Sequence, residues 1–415
     1  MIQINKPGRL LLLLASLSLS SATAQALTAF QPLVDATPTG GILRPAPGSY
    51  AGPVTLTRRM TIDGAGKVSI DGGGKGTVLR VKTDGAVIRG LRLTHSGVSH
   101  DQVDSGIALE GTGNRIEGNT LDDTLFGITL KQSNHNTIRR NRIRSQAVEL
   151  SMRGDALRLW YSMDNRIEEN DIADARDVVF MNSPRNRIAG NAIRNGRYGV
   201  QLVFSPNSTA VGNTLQHNAT GIVLLNSDQA VVRDNRIFHS IGVTGAGIAI
   251  KKTAEVLAQG NEIVHCSIGI LSDSPVGEAG RIVIRDNRIA HNTAGIQFYG
   301  ERGGHILNGN SFEKNLFQVV MFGAGDVQGN DWRGNYWDDY EGFDLNRDGV
   351  GDAPYELYVY ADRIWVETPK ARFFGNAPAL ELLDFLERLA PFSLPDLIVR
   401  DKAPRFSRPA WPPKL

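Results

Sequence analysis

One short phrase recurs through most of this chain and leaves few folds open to it: asparagine, any residue, then an apolar residue. It occurs as Asn119-Thr-Leu121, Asn141-Arg-Ile143, Asn170-Asp-Ile172, Asn191-Ala-Ile193 and Asn213-Thr-Leu215. It continues as Asn235-Arg-Ile237, Asn261-Glu-Ile263, Asn287-Arg-Ile289 and Asn310-Ser-Phe312. Successive asparagines lie 22, 29, 21, 22, 22, 26, 26 and 23 residues apart, so the longer intervals read as insertions between intact phrases, such as VELSMRG before Asp155. A second phrase marches with it: Gly106-Ile107, Gly127-Ile128, Gly199-Val200, Gly221-Ile222, Gly247-Ile248, Gly269-Ile270 and Gly295-Ile296. Around it apolar and polar residues alternate, as in a short strand. A third apolar pair precedes each asparagine, as in Thr137-Ile138 and Val231-Val232.

Three short strands per repeat define an all-β fold, a right-handed parallel β-helix, expected over residues 40–330. One coil cannot bury its own inward side chains, so coils must stack about 4.8 Å apart and pair strand on strand. The recurrent asparagine is expected at a turn, in the left-handed region it tolerates, with its amide bonded from coil to coil. The 45 glycines fit a chain with many turns. A formal net charge of +2 argues against a nucleic-acid groove.

The two ends differ from the middle. Residues 1–26 read as an export signal: Lys6 and Arg9, then the apolar run Leu10–Leu19, then the small residues Ala22-Thr23-Ala24. The run is too short to span a bilayer, so an exported, periplasmic protein is expected. Cys266 is the single cysteine and has no internal partner for a disulfide. Residues 331–370 are rich in aromatic and acidic groups. Within residues 371–415, Asn376 as N-cap and Pro378 in the first turn open an amphipathic helix. Leu382, Leu386 and Leu389 share its face, and Pro391 ends it. Beyond it Arg400, Lys402, Arg405 and Arg408 suggest an extended basic arm. Leucines and arm together are candidates for docking on a partner, and the leucines are equally suited to closing the open end of the column.

Residues 334–358, GNYWDDYEGFDLNRDGVGDAPYELY, resemble the segment that follows the β-helix in the NosD family, accessory proteins of nitrous oxide reductase maturation. Residues 381–392, ELLDFLERLAPF, are similar to that family's C-terminal helix. The resemblance implies a non-enzymatic partner of an ABC-type membrane complex. It also implies a copper-chaperone lipoprotein and nitrous oxide reductase as partners, with Cu(I) handled transiently.

Several residues invite a metal. Asp344, Asn346, Asp348, Val350 and Asp352 follow the spacing of a calcium loop, with Gly349 for the sharp turn and the Val350 carbonyl at position seven. The glutamate expected at position twelve is replaced by Tyr355, so calcium would need another carboxylate, such as Asp338 or Asp339. His217, His239, His265 and His291 each stand four residues after a repeat asparagine, which predicts a ladder, with Cys266 beside it in sequence. Imidazole and sulfur suit copper, while a stacked, solvated turn residue is the plainer expectation. Met152, Met163, Met181 and Met321 supply further soft sulfur, or fill gaps in a core. A rival class is a carbohydrate-active lyase or epimerase, for which Asp155, Asp177 and Arg158 on successive coils are the candidates; a surface ion pair is the plainer account of them. A passive adhesin would need no ligand.

Overall fold

The computed structural model describes residues 27–242, 245–273, 280–300, 303–322, 329–359 and 396–411. The expected export signal and Leu382, Leu386 and Leu389 lie outside the described residues. The chain winds as a parallel β-helix with three faces. A 12-stranded sheet forms the long face, running from Val54–Leu56 to Phe317–Phe322. The other two faces carry mostly three-residue strands, such as Thr137–Arg139 and Arg236–Phe238, which form one larger sheet. Like stacks on like: Ile143 pairs with Ile172, Ile172 with Ile193, and Ile237 with Ile263. Ile143, Ile237 and Ile289 are completely buried, in one apolar column that runs the length of the helix.

The two sequence phrases interlock. A Cβ added to Gly221 would lie 2.6 Å from Ile237 Cγ2, and one added to Gly127 would lie 2.5 Å from Ile143 Cγ2. The glycine opens a corner of the coil, and the isoleucine of the next asparagine phrase fills it.

The asparagines form a continuous buried ladder from Asn119 to Asn335. Asn141 is typical. Its main-chain N–H and its Nδ2 both donate to Asn170 Oδ1, at 3.0 and 3.1 Å, and Nδ2 also donates to Ile116 O at 2.9 Å. Each amide thus satisfies main-chain groups that a corner would otherwise leave unpaired, at about 1–3 kcal/mol for each such group. The left-handed residue is not the asparagine but the one before it: Arg140, Glu169 and Asp234 have φ of 54°, 56° and 56°, and Gly190 and Gly212 have 64° and 63°. The asparagine is there for its side chain, and the turn's strain falls on its neighbour. Two further ladders, Asn114-Asn136-Asn165-Asn186 and Ser133-Ser162-Ser183-Ser205-Ser227, bond from coil to coil in the same way.

Both ends of the column reach beyond the expected 40–330. Thr28–Ala29 pairs with Tyr50–Ala51, and the short helix Gln31–Ala36 buries Phe30 and Val34 over the first coil. Arg58 donates to the carbonyls of Val34, Asp35 and Thr37 and holds that helix down. At the other end Tyr336–Trp337 pairs with Ser311–Phe312. Phe312, Trp337 and Tyr355 then stack at 4.3 Å between successive ring centroids. Tyr355–Val359 pairs antiparallel with Asp396–Asp401. These elements cover what would otherwise be an open sheet edge.

Candidate functional surface

The structure aligns the four histidines as the spacing predicted. His217, His239, His265 and His291 stack with centroids 4.8, 5.3 and 5.1 Å apart and interplanar angles of 5°, 3° and 22°. Each is a left-handed turn residue, with φ between 54° and 57°, in a column in which Asp174 and Asn195 precede them and Lys314 follows. Ring nitrogens hold a metal through lone pairs in the ring plane. In parallel rings those lone pairs run side by side and do not converge. Cys266 does not join them: it is buried in the apolar column, its Sγ 3.6 Å from Val264 O, and burial pushes its thiol up to about 11. Burial first, then the neighbouring rings His217 and His265, hold His239 below the usual histidine range. The ladder thus matches a stacked turn and does not fit a resident copper site.

The methionines do not converge, although Met181 and Met321 both lie on strands of the long face, Met181 in register with exposed Trp160 and Met321 with buried Phe298. Met321 packs against the end of the core, Met181 lies on the long face, Met163 sits in a turn beside Arg185, and Met152 is exposed. In the calcium-like loop the carboxylates accept from nearby main-chain amides. Asp344 accepts from the N–H groups of Asp348 and Gly349, Asp348 from Val350, and Asp352 from Leu345, while Asn346 bonds Asp348. Asp338 and Asp339 are also engaged: Asp338 accepts from Lys314 N–H and Gln318, and Asp339 from Tyr355. Among the described residues no group of three or more His, Cys, Asp or Glu side chains is placed to hold a metal ion.

The basic arm is not free. Arg400 pairs with Glu356 at 2.7 Å. Arg405 donates its main-chain N–H to Asn335 O at 2.8 Å, and Arg408 reaches Glu313 at 2.8 Å. Lys402 is exposed, next to Asp401, which is fully buried. Asp401 Oδ1 accepts from Gly334 and Ala403 N–H, and Oδ2 from Asn335 N–H and Trp337 Nε1. The asparagine ladder ends on this carboxylate, 66 residues further along the chain. The C-terminal stretch therefore closes the column. Nothing in composition marked Asp401; only its distant pairing with Asn335 does.

A charge cluster lies on the outer long face, where Asp155, Arg158, Arg176 and Asp177 meet. It is no surface ion pair, because both carboxylates are buried. Arg176 donates to Asp155 at 3.0 Å, and Arg158 approaches it at 3.9 Å. Arg197, which sequence reasoning missed, grips Asp177 with two nitrogens and lies over the Tyr198 ring at 4.6 Å. Burial pushes the Asp155 carboxyl above the usual range; Arg176 opposes this and the charge of Asp177 adds to it. Each carboxylate is thus held by a guanidinium, an arrangement suited to fixing arginines on a surface.

Fold and surface together define a capped parallel β-helix protein. Solved structures bear out that class. The mannuronan C-5 epimerase AlgE6 A-module of Azotobacter vinelandii matches with a TM-score of 0.52 at 16% identity, covering 71% of this chain and 91% of that one. The surface adhesin PfbA of Streptococcus pneumoniae matches at 0.55 and 13%, covering 68% and 85%. An enzyme and an adhesin share the scaffold, so the likeness speaks for fold alone. Residues 140–342 match the family model described as periplasmic copper-binding protein (NosD). A Pseudomonas aeruginosa protein named "Probable ABC transporter binding protein NosD" is 30% identical over 384 residues, 89% of each chain. A Stutzerimonas stutzeri protein of the same name is 34% identical over 109 residues, 26% of this chain and 25% of that one. The chain belongs to the NosD family.

Proposed function

We propose that the protein is a periplasmic maturation factor. It docks on an ABC-type membrane complex and assists copper delivery to nitrous oxide reductase, with a copper-chaperone lipoprotein as donor. The observation that carries this reading is the identity to the P. aeruginosa protein, which spans 89% of both chains. Copper is cargo here, not a resident cofactor: the stacked histidines and the core-facing Cys266 speak against a fixed site. The guanidinium-bound state of Asp155 and Asp177 favours contact over sugar chemistry, because a general base must reach its substrate's proton.

The test is co-purification of the tagged, exported protein with the membrane complex, together with the copper content of the reductase in a strain lacking the gene. Retention of the complex and a copper-poor reductase in the deletion strain are expected. A fully loaded reductase in that strain, or cleavage or epimerisation of a uronate polymer by the purified protein, would refute the reading. Truncating the arm is a poor test, because Asp401 and Arg408 close the fold.

A further inference from the structure

The residues that turn the chain off the long face form a line along the column. Gln132, Tyr161, Asn182, Phe204, Asn226 and Lys252 all have φ between 46° and 49°. Each gives its N–H to the carbonyl just before the next, as Tyr161 does to Met181 O at 3.1 Å and Asn182 to Val203 O at 3.0 Å. They therefore rise one per coil, and amide alternates with ring. Asparagine suits a left-handed turn on backbone grounds alone; tyrosine and phenylalanine do not. Among the described residues no other phenylalanine, tyrosine or tryptophan has a positive φ. The two rings are not buried either: Tyr161 is 49% exposed and Phe204 53%. Strained and exposed at once, they serve neither the turn nor the core, and that combination marks a contact.

An apolar strip runs beside the line. Half-exposed Trp160 meets Tyr161 edge-on at 5.5 Å and stands in register with Met181, followed by Val203 and Leu225. The side-chain amides of Gln132, Asn182 and Asn226 differ from those of the buried ladders: among the described residues they have no hydrogen-bond partner. The charges nearby balance. Lys82 pairs with Glu110, Arg185 with Asp164, and Lys251 stands in register with Asp273. Lys131 and Lys252 are matched in number by Asp228 and Glu255 on the same turns, and Arg158 approaches buried Asp155. A surface without a surplus of either sign selects no ionic polymer.

We infer that this corner is a binding stripe for an uncharged, extended β-1,4-linked glycan. Two coils separate Tyr161 from Phe204, which sets the rings about 10 Å apart with Asn182 midway. A β-1,4-linked chain repeats its orientation at every second sugar, over a similar length. Its C–H faces meet the electron-rich faces of aromatic rings. Its hydroxyl groups, between those faces, need a donor and an acceptor together, which an amide supplies. An extended peptide repeats at about 7 Å and falls out of step with the rings. The stripe binds without turnover, and the inference is independent of the docking function proposed above.

The experiment titrates the full exported chain by calorimetry with hexamers of β-1,4-linked N-acetylglucosamine and of β-1,4-linked glucose, with the matching dimers, and with an oligomannuronate. The variant is Tyr161→Asn/Phe204→Asn, which gives both positions the residue that Asn182 and Asn226 already have in the same turn. Its melting temperature should equal or exceed that of wild type, since the turn strain is relieved. A neutral hexamer should bind wild type with an affinity that salt leaves unchanged. The dimer, too short to reach both rings, should bind at least about tenfold more weakly, and so should the hexamer to the variant. Failure of both neutral hexamers to bind, equal binding by the variant, or a salt-sensitive preference for the oligomannuronate would overturn the inference. A variant that melts below wild type would make the rings structural and overturn it too. If no hexamer binds while the variant loses the ABC-type complex or the copper-donor lipoprotein, the stripe is a protein interface and the glycan reading falls.

Discussion

Asp401 offers the sharpest test of how the column is closed. Replacing it with alanine removes the acceptor for Asn335 N–H and Trp337 Nε1, two buried donors bonded at 2.9 and 3.1 Å. It also strips Gly334 and Ala403 of their acceptor. At about 1–3 kcal/mol for each buried orphan, Asp401→Ala should cost roughly 4 kcal/mol. Asp401→Asn keeps one acceptor oxygen and sheds a buried charge, but it turns an NH2 toward two N–H groups; its cost should be about 1–2 kcal/mol. A solenoid couples mainly to its nearest neighbours, so the loss should stay local. Hydrogen exchange resolves this coil by coil. In Asp401→Ala, amides of residues 306–313 and 336–337 should exchange up to about a thousandfold faster, by the equivalence of 1.4 kcal/mol to tenfold. Amides near Ile138 and Ile143 should be unchanged. Equal acceleration along the whole column, or none at the C-terminal coils, would refute the view that this carboxylate terminates the ladder.

Ile237→Asp should leave no soluble folded protein, because it places an unpaired charge at a fully buried position between Leu215 and Ile263; a native circular dichroism spectrum for this variant would contradict the register. By NMR titration His239 should titrate below the usual histidine range, and His265→Asn should raise it by removing a like charge. Because the folded ring is the harder one to protonate, its contribution to stability is present above about pH 6.5 and declines as pH falls below it. Glu313 is held below the usual carboxylate range, with burial opposing and Arg288, Ser311 and Arg408 lowering it. Its stabilisation is therefore full above the unfolded value near 4.5 and is lost as pH falls through the depressed one, and Glu313→Gln should move the midpoint of acid unfolding to higher pH. Since no three acidic side chains of the 344–352 loop converge among the described residues, millimolar calcium and chelator should give the same melting curve; a rise of several degrees with calcium would assign the loop an ion.

The spacing of the asparagine phrases carried the stacking, the inward isoleucines and the histidine column, because a fixed period places equivalent residues on one line. Sequence reasoning stopped where contacts skip the period. Asp401 closes a ladder whose last asparagine is 66 residues earlier, and no local pattern connects them. Cys266 and His265 are neighbours in sequence, yet a left-handed residue turns one outward and the other into the core. The arm looked free because its charges were counted without Glu313 and Glu356, which bind Arg408 and Arg400. The serine ladder was legible in retrospect: Ser133, Ser162, Ser183 and Ser205 each precede a left-handed residue by two positions in the repeat, but serine is too common in turns to announce itself.

The asparagine ladder also has a direction. In every rung Oδ1 accepts from the N-terminal side, where Leu91 N–H bonds Asn119 Oδ1, and the main-chain N–H donates toward the C-terminal end. Nδ2 donates both onward and back to a main-chain carbonyl such as Ile88 O. Amide dipoles that all point one way add up, whereas those of the surrounding strands largely cancel. The ladder thus carries an axial polarity, with donors and so partial positive charge at its C-terminal end, where no further asparagine receives the Asn335 N–H. An anion is what such an end attracts. The buried Asp401 plays the part there that an acidic cap plays at a helix N-terminus, and this allows a carboxylate to be stable in a place where the apolar core alone would reject it.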